Sequence, residues 1–275
     1  GKVMLAGGTE SMSLVPMGAS IGSGVGFPFG AAYDRYADVE LIAGHKGLVG
    51  QGVSAEIIAN EWGLSREDLD AYGARSQALA EQATAEGRFE NEIIPVVSKI
   101  RDKESGEIKV LDAMVTADEG IRPGTTAEGL AKLKPSFLPE GKVTAGNSSQ
   151  ICDGASAALI MSADKAAALG LTPRARFHTF ALAGVDPVRM LTGPIPATAK
   201  ALEKSGLGID DFDHIEVNEA FASVVLAWEK EHHPDMAKVN ANPTPLRRGA
   251  RRRAGHPTTG PSPAALCAPG RADAR

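Results

Sequence analysis

The chain has 275 residues, 43% of them hydrophobic and 23% charged. That is enough apolar material for a packed core, and the balance excludes a chain disordered throughout. No apolar run is long enough to cross a bilayer, and the opening GKVMLAGGTE lacks the basic and apolar regions of a secretory leader. Two cysteines, Cys152 and Cys267, make no disulfide framework, so a reducing, cytoplasmic setting is the expectation. The net charge of −5 is divided unevenly: residues 243–275 hold seven Arg against a single acid, Asp273, which leaves −11 on the first 242 residues. Ala, Arg, Pro and Gly make up 24 of those last 33 residues, a composition that cannot bury a core of its own and is expected to be disordered.

In chain order, Lys2–Ala6 reads as a short buried strand that runs into Gly7–Gly8. Residues 14–50 are rich in Gly and Pro and read as loop, with a short helix near Asp34–Ile42. Val53–Trp62 is predicted helical and stops at Gly63. Ser65 begins a second helix as N-cap with Asp68 three places on, a capping-box spacing, and Gly87 ends it. Ile93–Ile100 and Ile108–Leu111 flank Glu104-Ser105-Gly106-Glu107 as a β-hairpin. Thr126–Leu133 is expected to be helical, Ala155–Met161 a strand, and Ala163–Leu169 a short helix closed by Gly170. Beyond residue 171, Arg176–Leu182 reads as a strand, Ile195–Ser205 as a helix ended by Gly206, His214–Val217 as a strand and Ala222–Glu231 as a helix, with Asn218–Phe221 as a tight polar turn between the last two. Strands alternating with helices make this an α/β chain.

Three segments carry residue types suited to chemistry. Val217–Ala222 (VNEAFA) sets a polar pair at the end of a strand, where ligands gather in α/β sheets. The Asn218 amide can hold a water or an oxyanion there, or it can simply cap the following helix. Thr144–Ala155 (TAGNSSQICDGA) packs small residues, amides and hydroxyls between apolar stretches, which suits either close approach to a ligand or a turn that satisfies its own backbone. Leu5–Ser13 (LAGGTESMS) matches neither Gly-rich phosphate fingerprint and reads as a turn. Cys152 is a candidate nucleophile by residue type, against the ordinary role of a cysteine as a small buried hydrophobe. His232-His233 point in different directions on a helix and read as surface residues. No residues stand at metal-ligand spacing, so no metal site is expected. The arginine run 247–253 suits nucleic acid or acidic lipid, but the body at −11 makes nucleic acid and membrane unexpected partners.

Taken together, LAGGTESMS at 5–13, GNSSQICDGA at 146–155 and VNEAFA at 217–222 resemble the motifs of the thiolase family in their order. IRPGTTAEGLAKLKPSF at 121–137 and DPVRMLTGPIPATAKALEKSGL at 186–207 fit the same pattern, and the resemblance covers roughly residues 1–242. It is nearest to acetyl-CoA acetyltransferases and 3-ketoacyl-CoA thiolases. The resemblance implies a layered αβαβα fold, here incomplete, with a long loop-domain excursion. Residues 1–13 and 141–165 would be the remainder of the first half, 14–140 the loop domain, 166–242 the start of the second half and 243–275 an aberrant tail. It also implies acyl transfer through a cysteine thioester, with acyl-CoA, acetyl-CoA and CoA as substrates, no covalently bound cofactor, and a homodimer or homotetramer. Asn218 takes the place of the Asn that holds the oxyanion water. Ser149 and Ala145 match positions near the pantetheine arm, Arg122 one by the nucleotide of CoA, and Ala220 one lining the acyl end.

The departures are as informative. The family's nucleophilic cysteine would precede the AGG segment, and neither Cys152 nor Cys267 stands at that position. The catalytic histidine belongs to a Gly-His-Pro after Val239-Asn240. A Gly-His-Pro occurs at 255–257, later than that spacing and in an arginine-rich setting, which makes His256 the candidate for the role or a coincidence. The tail has the composition that a GC-rich gene gives when it is read out of frame near codon 242. On this reading the isolated chain is expected to be inactive. A non-catalytic thiolase-like protein that binds acyl-CoA or lipid is the alternative.

Overall fold

A computed structural model describes residues 3–19, 31–102, 104–241 and 265–267, of which 31–32 and 265–267 are described by backbone alone. The described elements are mixed α and β. The strands are β1 (Val3–Ser11), β2 (Val96–Arg101), β3 (Ile108–Val115), β4 (Asp153–Met161), β5 (His214–Glu216) and β6 (Ala265–Cys267). The helices are α1 (Ala31–Tyr36), α2 (Gln51–Glu61), α3 (Arg66–Ala85), α4 (Ala127–Leu130), α5 (Ala163–Ala168), α6 (Pro194–Ser205) and α7 (Ala222–His232). Among the described residues the strands form three antiparallel two-stranded ribbons, β1–β4, β2–β3 and β5–β6, so the five-layer arrangement is not assembled there.

The core is helical. Ala55, Ile58 and Ala59 of α2, Leu69 and Tyr72 of α3, and Val224, Val225 and Trp228 of α7 pack with Ile215 and Val217 into one buried cluster. Ser65 caps α3 in both directions. Its hydroxyl accepts from the Asp68 N–H at 3.0 Å, and its own N–H donates to Asp68 Oδ2 at 2.8 Å. Helix α3 then lies directly on the 144–149 turn, which only a glycine permits. A Cβ at Gly73 would sit 2.6 Å from the Gly146 carbonyl oxygen. Helix α6 begins at Pro194, where its missing N–H costs nothing, and ends at Gly206 in the left-handed region with φ 69°.

Several expectations change in detail. Strand β1 does not stop at Gly7–Gly8 but continues to Ser11, because β4 runs against it without a break from Val3↔Met161 to Ser11↔Asp153. A Cβ at Gly7 would lie 2.5 Å from the Ser156 carbonyl oxygen, so the glycine serves the pairing rather than a turn. The short helix of the 14–50 region is Ala31–Tyr36, and a single 3-10 turn, Ile42–Gly44, follows it. The hairpin forms, but its first strand begins at Val96, since Glu92 and Ile93 donate back to the Phe89 carbonyl in a closing turn. Helix α4 ends at Leu130 rather than Leu133, because the Arg66 guanidinium takes the carbonyls of both Leu130 (2.9 Å) and Leu133 (3.0 Å). Arg176–Leu182 is not a strand: it finds no ladder partner among the described residues, and Phe180 and Leu182 remain 66% and 87% exposed. The basic tail, expected to lack structure, contributes β6, whose backbone pairs with β5 from His214↔Cys267 to Glu216↔Ala265.

Candidate functional site

The site grows from two polar segments that the core holds side by side. Residues 147–149 and 220–222 run antiparallel: the Ser149 N–H donates to the Ala220 carbonyl and the Ala222 N–H to the Asn147 carbonyl, both at 2.9 Å, around the Ser148↔Phe221 bridge. Ser149 and Ala220 are thereby brought together, and Asn218 stands two residues before Ala220. Asn218 does not cap α7. The N-cap is Phe221, in extended conformation and with no side-chain acceptor. Asn218 Oδ1 and Ser149 Oγ are both buried, and neither has a hydrogen-bond partner among the described residues. Leaving such atoms unmet costs about 1–3 kcal/mol each, so each calls for a partner that the described residues do not supply.

Both segments are braced from behind. Asn147 is fully buried: its Oδ1 accepts from the Thr144 N–H (2.9 Å) and its Nδ2 donates to Asp70 Oδ1 (2.8 Å), with Arg66 pairing the other Asp70 oxygen at 2.6 Å. On the opposite side Glu219, also fully buried, accepts from the Tyr72 hydroxyl (2.6 Å), the Ser76 hydroxyl (3.0 Å) and Asn240 Nδ2 (3.1 Å). Asn240 Oδ1 accepts from the Val217 N–H at 2.8 Å. Burial and the adjacent Glu219 carboxylate hold the Tyr72 phenol well above its ordinary range, so it stays a donor. Residues 217–219 are thus pinned at both flanks of Asn218. The sequence pattern placed Tyr72 and Ser76 only as a helical stripe. Their i, i+4 hydroxyls on the face that meets the VNEA turn were the available sign of this network.

Arg122 and Ala145 lie at the rim. Both are exposed. The Arg122 N–H donates to Gln77 Oε1 (2.9 Å), and its Nη1 donates to the Gly120 carbonyl (3.3 Å). The same carbonyl accepts from Gln150 Nε2 at 2.7 Å, which ties Arg122 to the residue after Ser149. Ala145 tops the turn between Thr144 and Asn147, a small side chain at a surface that a long ligand can cross. Cys152 is a half-buried thiol just before β4. His232 is half-buried rather than a free surface residue: its Nε2 meets the Ile195 carbonyl at 3.0 Å, and burial lowers its pKa. His256 lies outside the described residues.

This pairing of a TAGNSS turn with a VNEAFA turn agrees with comparisons to known proteins. The family description "Thiolase, N-terminal domain" matches residues 1–164, and "Thiolase, C-terminal domain" matches residues 171–260, across Gly255-His256-Pro257. A 3-ketoacyl-CoA thiolase of Marinobacter nauticus is 47% identical over 84% of this chain and 54% of its own length. An acetyl-CoA acetyltransferase of Paracoccus denitrificans is 41% identical over 88% of this chain and 59% of its own. A steroid 3-ketoacyl-CoA thiolase of Mycobacterium tuberculosis is 43% identical over 87% of this chain and 55% of its own. The chain therefore spans little more than half the length of these relatives. With both domain descriptions matched in order, the chain belongs to the thiolase family.

Proposed function

We propose that this chain carries the oxyanion and coenzyme A side of a thiolase-type acyltransferase site. The observation that carries the reading is the pair of buried, unmet oxygens, Asn218 Oδ1 and Ser149 Oγ, on segments joined by backbone hydrogen bonds. Asn218 holds a water by its amide, and that water donates to the thioester oxygen as negative charge develops on it, lowering the barrier to carbon–carbon condensation or cleavage. Ser149 and Ala145 receive the pantetheine arm, and Arg122 meets the nucleotide through a guanidinium that stacks or pairs. Ala220, buried beside Ser149, closes the acyl end. His256 is the candidate base that would raise the thiolate fraction of a nucleophilic cysteine. Substrates are CoA, acetyl-CoA and acyl-CoA. A cytoplasmic setting is part of this reading. Assembly is as a homodimer or homotetramer.

Neither Cys152 nor Cys267 stands at the family's nucleophile position, so neither is assigned the nucleophile's role, and the Asn218–Ser149 site is proposed to bind CoA without turnover by these two thiols. Calorimetry with CoA, paired with an acetoacetyl-CoA thiolysis assay, tests this. The expected outcome is saturable binding, weakened about ten-fold or more by Asn218→Ala or Ser149→Ala, with no thiolysis. Turnover abolished by Cys152→Ala would overturn the inactive reading, and no CoA binding would overturn the site.

A further inference from the structure

Two more buried oxygens lack partners among the described residues, and both lie on the first turn of α2: Gln51 Oε1 and Ser54 Oγ. Ser54 is fully buried. Neither residue belongs to a motif that the sequence singles out. Their place relative to the site follows from the packing of α2 on α7. The Ser223 hydroxyl donates to the Ala55 carbonyl at 3.0 Å, Lys230 Nζ to the Trp62 carbonyl at 2.8 Å, and Trp62 Nε1 to Glu231 Oε1 at 2.9 Å. Seven residues separate Ala55 from Trp62 and seven separate Ser223 from Lys230, so the helices run parallel and in register with their N-termini at the same end. Gln51 lies about one turn, roughly 6 Å, ahead of Ala55. It therefore stands about a turn ahead of the Ser223 level, beyond the start of α7, at the end where residues 218–221 lead into that helix. Phe137 spans the gap, since its ring covers Gly52 closely and meets Phe221 edge to face at 5.9 Å.

The chemistry of this turn selects its ligand. Gln51 and Ser54 are three residues apart and share a helix face, with Cβ atoms about 5–6 Å apart. One oxygen at about 2.8 Å from each can bridge them. Gln51 Oε1 can only accept, which disfavours an anion. The N-terminus of α2, whose N-cap Gly50 supplies no side-chain cap, disfavours a cation. A neutral group that donates to Gln51 and accepts from the Ser54 hydroxyl meets both demands, and a single hydroxyl does so from one atom.

We propose that Gln51 and Ser54 form a subsite for a hydroxyl group of a CoA thioester, next to Asn218. The inference rests on the reading of the Asn218–Ser149 site as a CoA thioester site. The hydroxyl can come from the acyl group or from the pantetheine arm, and the probes separate the two. Dissociation constants are measured by calorimetry for CoA, butyryl-CoA and 3-hydroxybutyryl-CoA on the chain as it stands, on Gln51→Leu and on Ser54→Ala, with circular dichroism as the folding check and Gln51→Met replacing any Leu variant that fails it. The expected result is about a ten-fold loss on each substitution. A loss confined to 3-hydroxybutyryl-CoA assigns the subsite to an acyl hydroxyl, and an equal loss for all three assigns it to the pantetheine hydroxyl. Wild-type affinities for all three probes in both variants would overturn the subsite while leaving the Asn218 site standing. Failure of the unaltered chain to bind any probe would overturn both.

Discussion

The helical centre and the two-stranded ribbons of this protein solve the burial problem differently. In the centre, α2, α3 and α7 each give an apolar face to a common cluster, and Ile58, Leu69 and Trp228 are completely buried. In the β1–β4 ribbon the pairing is long and regular over nine residue pairs, yet Leu5 stays 73% exposed and Leu159 65%. The β2–β3 hairpin likewise leaves Val96, Ile100, Ile108 and Val110 exposed. A backbone ladder satisfies polar groups but buries little apolar surface when no layer covers it. Asn218 and Ser149 stand on segments fixed by the first region, where packing and buried hydrogen bonds hold the backbone on either side of them.

The sharpest way to break this contrast is at Glu219. Glu219→Ala removes the acceptor of three buried donors, Tyr72, Ser76 and Asn240, and should cost about 3–5 kcal/mol in urea unfolding, with loss of CoA binding. Next comes Ile58→Ala in the centre, which should cost about 2–5 kcal/mol, whereas Leu159→Ser on the ribbon should change stability by no more than about 0.5 kcal/mol. Equal effects at the two positions would show that a layer covers the ribbon. A smaller effect than that at Ile58 belongs to the α3 cap. Ser65→Ala should cost about 1 kcal/mol at pH 7. The Asp68 carboxyl is held below its ordinary value of 3.8, first by the Ser65 N–H and then by the Ser65 side chain. A lowered carboxylate contributes above its unfolded pKa and ceases to contribute as pH falls through its folded one. The destabilisation caused by Asp68→Ala should therefore shrink as a series of melts is taken below pH 3.8.

How far the sequence foretold this structure depends on the reach of each interaction. Helix α3 was legible because its start is local: Ser65 and Asp68 are three residues apart, and Gly87 marks its end. Helix α6 with Gly206 and the hairpin around Gly106 were legible for the same reason. The course of β1 through Gly7–Gly8 was not, since the glycines are required by the approach of Ser156 from across the ribbon. Arg176–Leu182 has the composition of a strand but no neighbour among the described residues to pair with, and composition cannot supply one. At the site, the motifs picked out Asn218 and Ser149, but not the support that holds them. Tyr72 and Glu219 are 147 positions apart, and Gln51 and Ser54 acquire significance only when α2 is seen parallel to α7. From the residues alone Asn218 read more readily as a helix cap, a position that Phe221 holds.

The central claim is that the buried polar pair at Asn218 and Ser149 receives a CoA thioester while the ribbons take no part. Amide hydrogen exchange with and without CoA tests it most directly, because the Ser149 and Ala222 amides are the two that join the site segments. The account predicts that saturating CoA slows exchange at Ser149 and Ala222 and leaves β1 and β4 unchanged. Protection confined to β1 and β4, with Ser149 and Ala222 exchanging as before, would contradict it.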